Sequence, residues 1–231
     1  MIHILFVTLL SICMLHTTSL HGSPLGKTHF IIGYEGQALP SLITSAQLDT
    51  KEKITLDMPF NLVHENKINA VFFSPDDKVH TVLEYLIAQE KQSIRLAIFA
   101  FTDKKIAQAL IDARNRGVHV EIITDTSSIY GKYNKLSVLH DGNITIHIYN
   151  PEKAKTAVQG LMHNKFFLFK ENILGKPLLW TGSFNVTVAA SKANRENVLV
   201  SEEKLYLEKF SQEFDRLKTW CDRYQKPNAG N

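Results

Sequence analysis

Charge is missing from the start of this chain. None of the first 26 residues is Asp, Glu, Lys or Arg, and Ile4 to Leu15 is an almost unbroken apolar run. Such a run is too short to cross a bilayer, which takes about 20 residues. Followed by the small and polar Thr17, Thr18, Ser19, Gly22 and Ser23, it predicts a secretory signal peptide over residues 1–23, cleaved between Ser19 and Ser23. The expected location is therefore periplasmic or secreted, with no stable membrane span after cleavage. Cysteine is almost as scarce: Cys13 lies in the leader, Cys221 alone would remain, and no internal disulfide is open to the mature chain. With 11 Gly and 7 Pro in 231 residues, collagen-like and low-complexity architectures are excluded. The mature chain also lacks a closely spaced His, Cys, Asp or Glu cluster, so neither a metal nor another cofactor is expected.

What is present is the profile of a globular protein, 44% hydrophobic and 21% charged with a net charge of +3. That length suits one domain of about 150 to 200 residues with an appendage. Residues 24–67, broken by Gly33, Gly36, Pro40 and Pro59, read as an N-terminal extension; 68–224 read as the domain and 225–231 as a tail. Within the domain, Ala70–Phe73 predicts a strand, and Val79, Val82, Leu83, Leu86 and Ile87 recur at helical spacing. Ile94–Phe101 predicts a strand, Thr102 or Asp103 caps a helix that Gly117 ends, and Val118–Thr124 is the next strand. A short helix over Asn134–His140 and a strand over Ile144–Tyr149 follow. Further strands are expected over Leu161–Phe169, Leu178–Thr181 and Asn197–Val200, and a closing helix over Ser201–Tyr224 with the apolar stripe Tyr206, Phe210, Phe214, Leu217 and Cys221. This alternation predicts an α/β fold, a mixed sheet flanked by helices.

Chemistry concentrates late in the chain. His163 and Lys165 are two apart on a predicted strand and share a face, opposite Asn164 and Phe166; Ser183 and Asn185 repeat the spacing after the hairpin. Imidazole, ammonium, hydroxyl and amide converging at one hairpin end suit a phosphate: Lys165 neutralises charge, Asn185 donates hydrogen bonds, and His163 attacks phosphorus or carries a proton. Glu196 is a carboxylate that could orient the imidazole. His119, His140 and His147 read as structural or solvated. From Tyr130 to Arg195 the net charge is +6 and the rest of the chain carries −3, which places Lys170, Lys192 and Arg195 as substrate-binding candidates. Tyr130, Tyr133 or Tyr149 could stack on unpaired bases, while an anionic lipid headgroup would be attracted by the same charge.

His163-x-Lys165, Gly182-Ser183-x-Asn185 and Glu196-Asn197 together resemble the signature of the phospholipase D superfamily. The likeness runs from Val71-Phe72-Phe73-Ser74-Pro75 through Phe101-Thr102 and Arg116-Gly117-Val118 to Trp220. It is nearest to the single-motif branch of bacterial periplasmic endonucleases and the mitochondrial cardiolipin hydrolase. The resemblance implies a homodimer with one active site on its two-fold axis and a metal-independent phosphodiesterase. His163 of one subunit forms a phosphohistidine, and the second His163 protonates the leaving oxygen. It further implies that Lys165 and Asn185 clamp the phosphate, Ser183 supports it and Glu196 orients His163. A nucleic acid is the expected substrate and a phospholipid such as cardiolipin the alternative. The chain departs from the motif at Lys170, where the family places an aspartate, and in a hairpin turn remodelled around Gly175-Lys176-Pro177. That departure leaves a third possibility, a phosphodiester-binding homologue without turnover.

Overall fold

The computed structural model describes residues 60–64, 67–155 and 160–226. The expected signal peptide, most of the expected extension and most of the expected tail lie outside these residues. The described chain forms nine strands: β1 (Val63–His64), β2 (Lys67–Ser74), β3 (Ser93–Ile98), β4 (His119–Asp125), β5 (Thr145–Tyr149), β6 (Lys165–Phe169), β7 (Leu178–Gly182), β8 (Glu196–Ser201) and β9 (Cys221–Arg223). Its helices are α1 (Val79–Gln89), α2 (Lys104–Asn115), α3 (Leu136–Asp141), α4 (Pro151–Ala154), α5 (Val188–Lys192) and α6 (Lys204–Thr219). The strands make one mixed sheet in the order β1-β2-β8-β7-β6-β3-β4-β5-β9. Only β3, β4 and β5 run parallel to one another; the other pairings are antiparallel.

The local reasons are ordinary ones. Helix α2 starts at Asp103, whose Oδ1 accepts from the backbone N–H groups of Lys105 at 2.8 Å and Ile106 at 3.0 Å. It stops where Gly117 takes a φ of 95°, a conformation glycine adopts without steric cost. Its buried Ile106, Ala107, Leu110 and Ala113, with Val79, Val82, Leu83, Leu86 and Ile87 of α1, cover one sheet face. Each such aliphatic side chain contributes about 1.5–3 kcal/mol by leaving water. Alternation along β6 splits its residues between two cores. Phe167 and Phe169 join α1 and α2, whereas Phe166 and Leu168 lie under α6 with Phe214 and Leu217.

Two expectations need correction. The closing helix ends at Thr219, and Cys221–Arg223 turns back as β9 beside β5. Its stripe is also narrower than periodicity suggests: Phe214 and Leu217 are buried, Tyr206 is exposed, and Leu207 packs in its stead. The sheet also begins before Ile68. Leu62 is wholly buried, and its carbonyl accepts from the Asn69 N–H at 3.2 Å.

Candidate active site

Strand direction gathers the site. Strands β2, β3, β4 and β7 end, and β6 and β8 begin, at the same edge of the sheet, as the pairings Ile98 with Lys165 and Ser74 with Glu196 require. Lys165 opens β6, and Ser183 follows the last residue of β7. His163 is not on a strand, contrary to the sequence reading; it belongs to the segment leading into β6 and is exposed. The pair still meets, because the Lys165 ammonium donates to His163 Nδ1 at 3.0 Å and to the His163 carbonyl at 2.7 Å. An ammonium has no lone pair, so Nδ1 is the acceptor.

Lys165 retains only 8% of its exposure. Burial pulls its pKa below the ordinary lysine value of 10.5, against the opposing pull of the Glu196 carboxylate. Phe99 supplies the wall: its ring lies 4.5 Å from the His163 ring, centroid to centroid, and 5.4 Å from the Lys165 Nζ.

Across the hairpin, Ser183 Oγ donates to Glu196 Oε2 at 2.5 Å and accepts from the Asn197 N–H at 3.1 Å. The other Glu196 oxygen accepts from Asn194 Nδ2 at 3.0 Å. Within one chain Glu196 thus holds Ser183. Gly182 has a steric reason to be glycine, since a Cβ there would stand 2.0 Å from the Asn197 carbonyl oxygen. Asn185 accepts from the Ala100 N–H through Oδ1 at 3.2 Å, which leaves its amide NH₂ free to donate.

Asp125 escaped the sequence reading. This buried carboxylate ends β4 and accepts from the Met162 N–H at 2.8 Å, fixing the residue before His163. Its other oxygen accepts from the Ser127 N–H at 2.9 Å and Ser127 Oγ at 2.7 Å. The available signal was an acid following the predicted strand Val118–Thr124, at the carboxyl end of a strand in an α/β sheet, where ligands bind.

The substrate-binding candidates scatter. Lys170 follows the far end of β6, five residues or roughly 16 Å from Lys165. It cannot share a phosphate with His163. That turn is fastened instead by buried Glu90, whose Oε1 accepts from the N–H groups of Gln92, Ser93 and Glu171, each at 2.9 Å, while Oε2 accepts from Asn172 Nδ2 at 3.1 Å. A carboxylate from the end of α1 therefore serves this turn while position 170 carries lysine. Arg195 is exposed and paired with Asp76 at 2.9 Å. Lys192 is exposed at the end of α5. Of the three tyrosines, Tyr149 is buried and unavailable for stacking; Tyr130 and Tyr133 are exposed. Among the described residues, no group of three His, Cys, Asp or Glu could hold a metal ion, and no helix is long and apolar enough to cross a membrane.

Known proteins resemble this chain. The model of a family described as "Cardiolipin synthase, PLD-like domain" matches residues 83–218. A phospholipase D of Rickettsia prowazekii (strain Madrid E) is 33% identical over 157 residues, covering 68% of this chain and 68% of the relative. A mitochondrial cardiolipin hydrolase of Xenopus tropicalis is 28% identical over 141 residues, covering 61% of each chain. Among solved structures, Nuc, a phospholipase D family member from Salmonella typhimurium, has the same fold. It matches with a TM-score of 0.58 and 24% identity, over 68% of this chain and 98% of that one.

Proposed function

The chain is a single-motif member of the phospholipase D superfamily and a phosphodiesterase, and from that footing we propose a metal-independent, non-specific endonuclease of DNA or RNA that works through a phosphohistidine on His163. The observation that carries this reading is the meeting of His163, Lys165, Ser183 and Asn185 at one sheet edge, with the Lys165 ammonium on His163 Nδ1.

The contact suggests how substrate starts the reaction. With Nδ1 accepting, the resting ring is neutral and carries its proton on Nε2; a ring that takes a second proton, on Nδ1, is the imidazolium and serves as general acid. A phosphate that draws the Lys165 charge to its own oxygens frees Nδ1 to take the proton, and the Nε2 lone pair becomes the nucleophile. One ring cannot hold both states, so the proposal places two copies of the chain around one phosphate. Nε2 of the first His163 attacks phosphorus as the bond to the leaving oxygen breaks, and Nε2–H of the second His163, an imidazolium, protonates that oxygen and leaves a neutral imidazole. Water then attacks the phosphohistidine, loses a proton to the second imidazole and breaks the P–N bond. Both rings return to their starting states.

The homodimer has support in the sheet. Helix α6 packs over β3 to β7, and on that face β2 leaves Val71 and Phe73 exposed by 55% and 56%, next to the site edge. A second copy is the occupant proposed for them. Phe73→Asp is then expected to give monomers and to lose turnover together; monomers of full activity would refute the shared site.

The basic stretch from Tyr130 to Arg195 suits a polyanionic backbone and an anionic headgroup alike, and the exposed Tyr130 and Tyr133 within it favour nucleic acid. The second reading, hydrolysis of an anionic phospholipid such as cardiolipin, is favoured by the names of the relatives. Export to a periplasmic or extracellular compartment rests on the apolar segment Ile4 to Leu15. The deciding experiment assays purified protein and His163→Ala in EDTA on single-stranded DNA, duplex DNA, RNA and cardiolipin. Turnover of nucleic acid by the parent alone is expected, with an acid-labile, alkali-stable phosphate on the peptide that carries His163. Cardiolipin turnover alone would establish the second reading, and silence on all four would indicate a binding homologue.

A further inference from the structure

Between β4 and α3 the chain makes a turn whose composition and rigidity the phosphodiesterase chemistry does not use. Tyr130 and Tyr133 stand 82% and 67% exposed on it, though large aromatic surfaces usually leave water. The turn is nevertheless firmly built. Ile129, one residue before Tyr130, packs against the main core. Asn134 staples the loop, donating through Nδ2 to the carbonyls of Ile129 at 3.1 Å and Gly131 at 2.7 Å and accepting from the Leu136 N–H at 3.1 Å. The Lys132 ammonium lies 5.5 Å from the Tyr133 ring centroid, and Lys135 donates to the Tyr133 carbonyl at 2.9 Å.

The turn is also tied to the site at three places. Ser128 Oγ donates to the carbonyl of Phe99, the residue whose ring meets His163. The Lys135 N–H donates to the Phe101 carbonyl at 3.1 Å. Asp125 grips Ser127 at the start of the turn with one oxygen and Met162, beside His163, with the other.

Resting on the nucleic-acid reading above, we propose that Tyr130 and Tyr133 form a base-stacking ledge that binds the unpaired bases flanking the scissile phosphate, making single strands the preferred substrate. Rings carried on a backbone braced before the ligand arrives cost less to order on binding than rings on an unbraced loop. Stacking is indifferent to base identity, because every base offers a π face, and a duplex hides those faces. Lys132 adds charge for the backbone beside the rings.

The test uses the full chain carrying His163→Ala, so that ligands are bound and not consumed. Fluorescence anisotropy would follow a labelled single-stranded oligonucleotide, an abasic strand of equal length and the matching duplex, with sedimentation of cardiolipin vesicles alongside. Replacing both tyrosines by Ala is expected to weaken the single strand about tenfold or more and the abasic strand far less. Replacing both by Phe, which keeps the rings, is expected to preserve binding. Equal losses on normal and abasic strands, unchanged single-strand binding, failure of Phe to rescue, or a loss confined to cardiolipin would each overturn the ledge. Hydrolysis of bis(p-nitrophenyl) phosphate by the parent chain separates the failures: no hydrolysis sinks the chemistry, whereas hydrolysis with no oligonucleotide binding by the His163→Ala chain sinks the nucleic-acid reading. Hydrolysis and binding with unaltered tyrosine variants sinks the ledge alone.

Discussion

Lys165 reaches back two residues along its own chain and donates twice to His163, to the carbonyl oxygen at 2.7 Å and to ring Nδ1 at 3.0 Å. In the proposed mechanism the phosphate clamp therefore also sets the resting tautomer of the nucleophile. Lys165→Met is expected to cut turnover by about 10²- to 10³-fold, the usual cost of losing a donor aimed at transition-state charge. Because burial lowers the lysine pKa, activity should fall on the alkaline side below the ordinary lysine value of 10.5. The unfolded chain binds this proton more tightly, so charging Lys165 costs folding stability below its folded pKa, and the cost disappears as pH rises toward the unfolded value. An alkaline limb at or above that of a free lysine would contradict the assignment.

Asp125→Asn tests how much of the rate depends on the placement of His163. The amide retains an acceptor for Ser127 but offers NH₂ toward the Met162 N–H, pushing the His163 segment away. A displacement of about 1 Å costs on the order of 10²-fold in rate. Loss in kcat well beyond any change in KM, in a protein that still melts cooperatively, is the expected result; equal activity would confine Asp125 to the turn.

Lys170→Ala should leave kcat/KM and its salt dependence where they are, since the residue follows the far end of β6. Loss of a phosphate contact reduces the logarithmic salt slope by about one. A reduced slope in this variant would return Lys170 to the binding surface.

Much of this was legible beforehand. Helix α2 was marked at both ends, by Asp103 and Gly117, and β4 by the β-branched Val118, Val120, Ile122 and Ile123. Both signals are local, and local signals survive into the fold. His163, Lys165, Ser183 and Asn185 were visible as a spacing, but what the carboxylates hold was not. Glu196 grips Ser183, Asp125 grips Met162 and Glu90 grips Glu171, and each depends on strand register set by distant pairing. Cys221 continued the helical period of α6 yet became β9, because the exposed edge of β5 pairs with it. Tertiary contact overrode periodicity there.

Gly182→Ala should be costly out of proportion to one methyl group. The added carbon meets the Asn197 carbonyl, a backbone atom that cannot swing aside, and β7 and β8 must separate where Ser183 meets Glu196. Overpacking of this kind costs about 1–3 kcal/mol. Denaturant titration and turnover should both register the change, and a fully active, fully stable variant would refute this account of the glycine.

Away from the site, Glu121 couples the sheet to α6. Its hydrogen bond to His147 at 2.7 Å and its pairing with Lys218 at 2.5 Å outweigh desolvation and bring its pKa down to about 2. A carboxyl depressed on folding contributes stability above its unfolded pKa and loses it as pH falls through the folded value. The stabilisation should therefore drain away between about pH 5 and pH 2, on the order of 3 kcal/mol in all. Glu121→Gln should flatten that part of the stability–pH curve; an unchanged acid limb would show that other groups govern it.

The position of β8 in the sheet also bears on timing. It lies between β2 and β7, although residues 67–74 precede it by more than half the chain. Ribosomes add residues from the N-terminus, so β2 emerges long before the strand that must separate it from β7. Until residues 196–201 exist, the sheet has a gap beside Gly182, Ser183 has no carboxylate to hold it, and the phosphate-handling edge is unfinished. A nascent chain therefore lacks the finished site edge for most of its synthesis, and the phosphodiesterase edge closes only when the strand arrives.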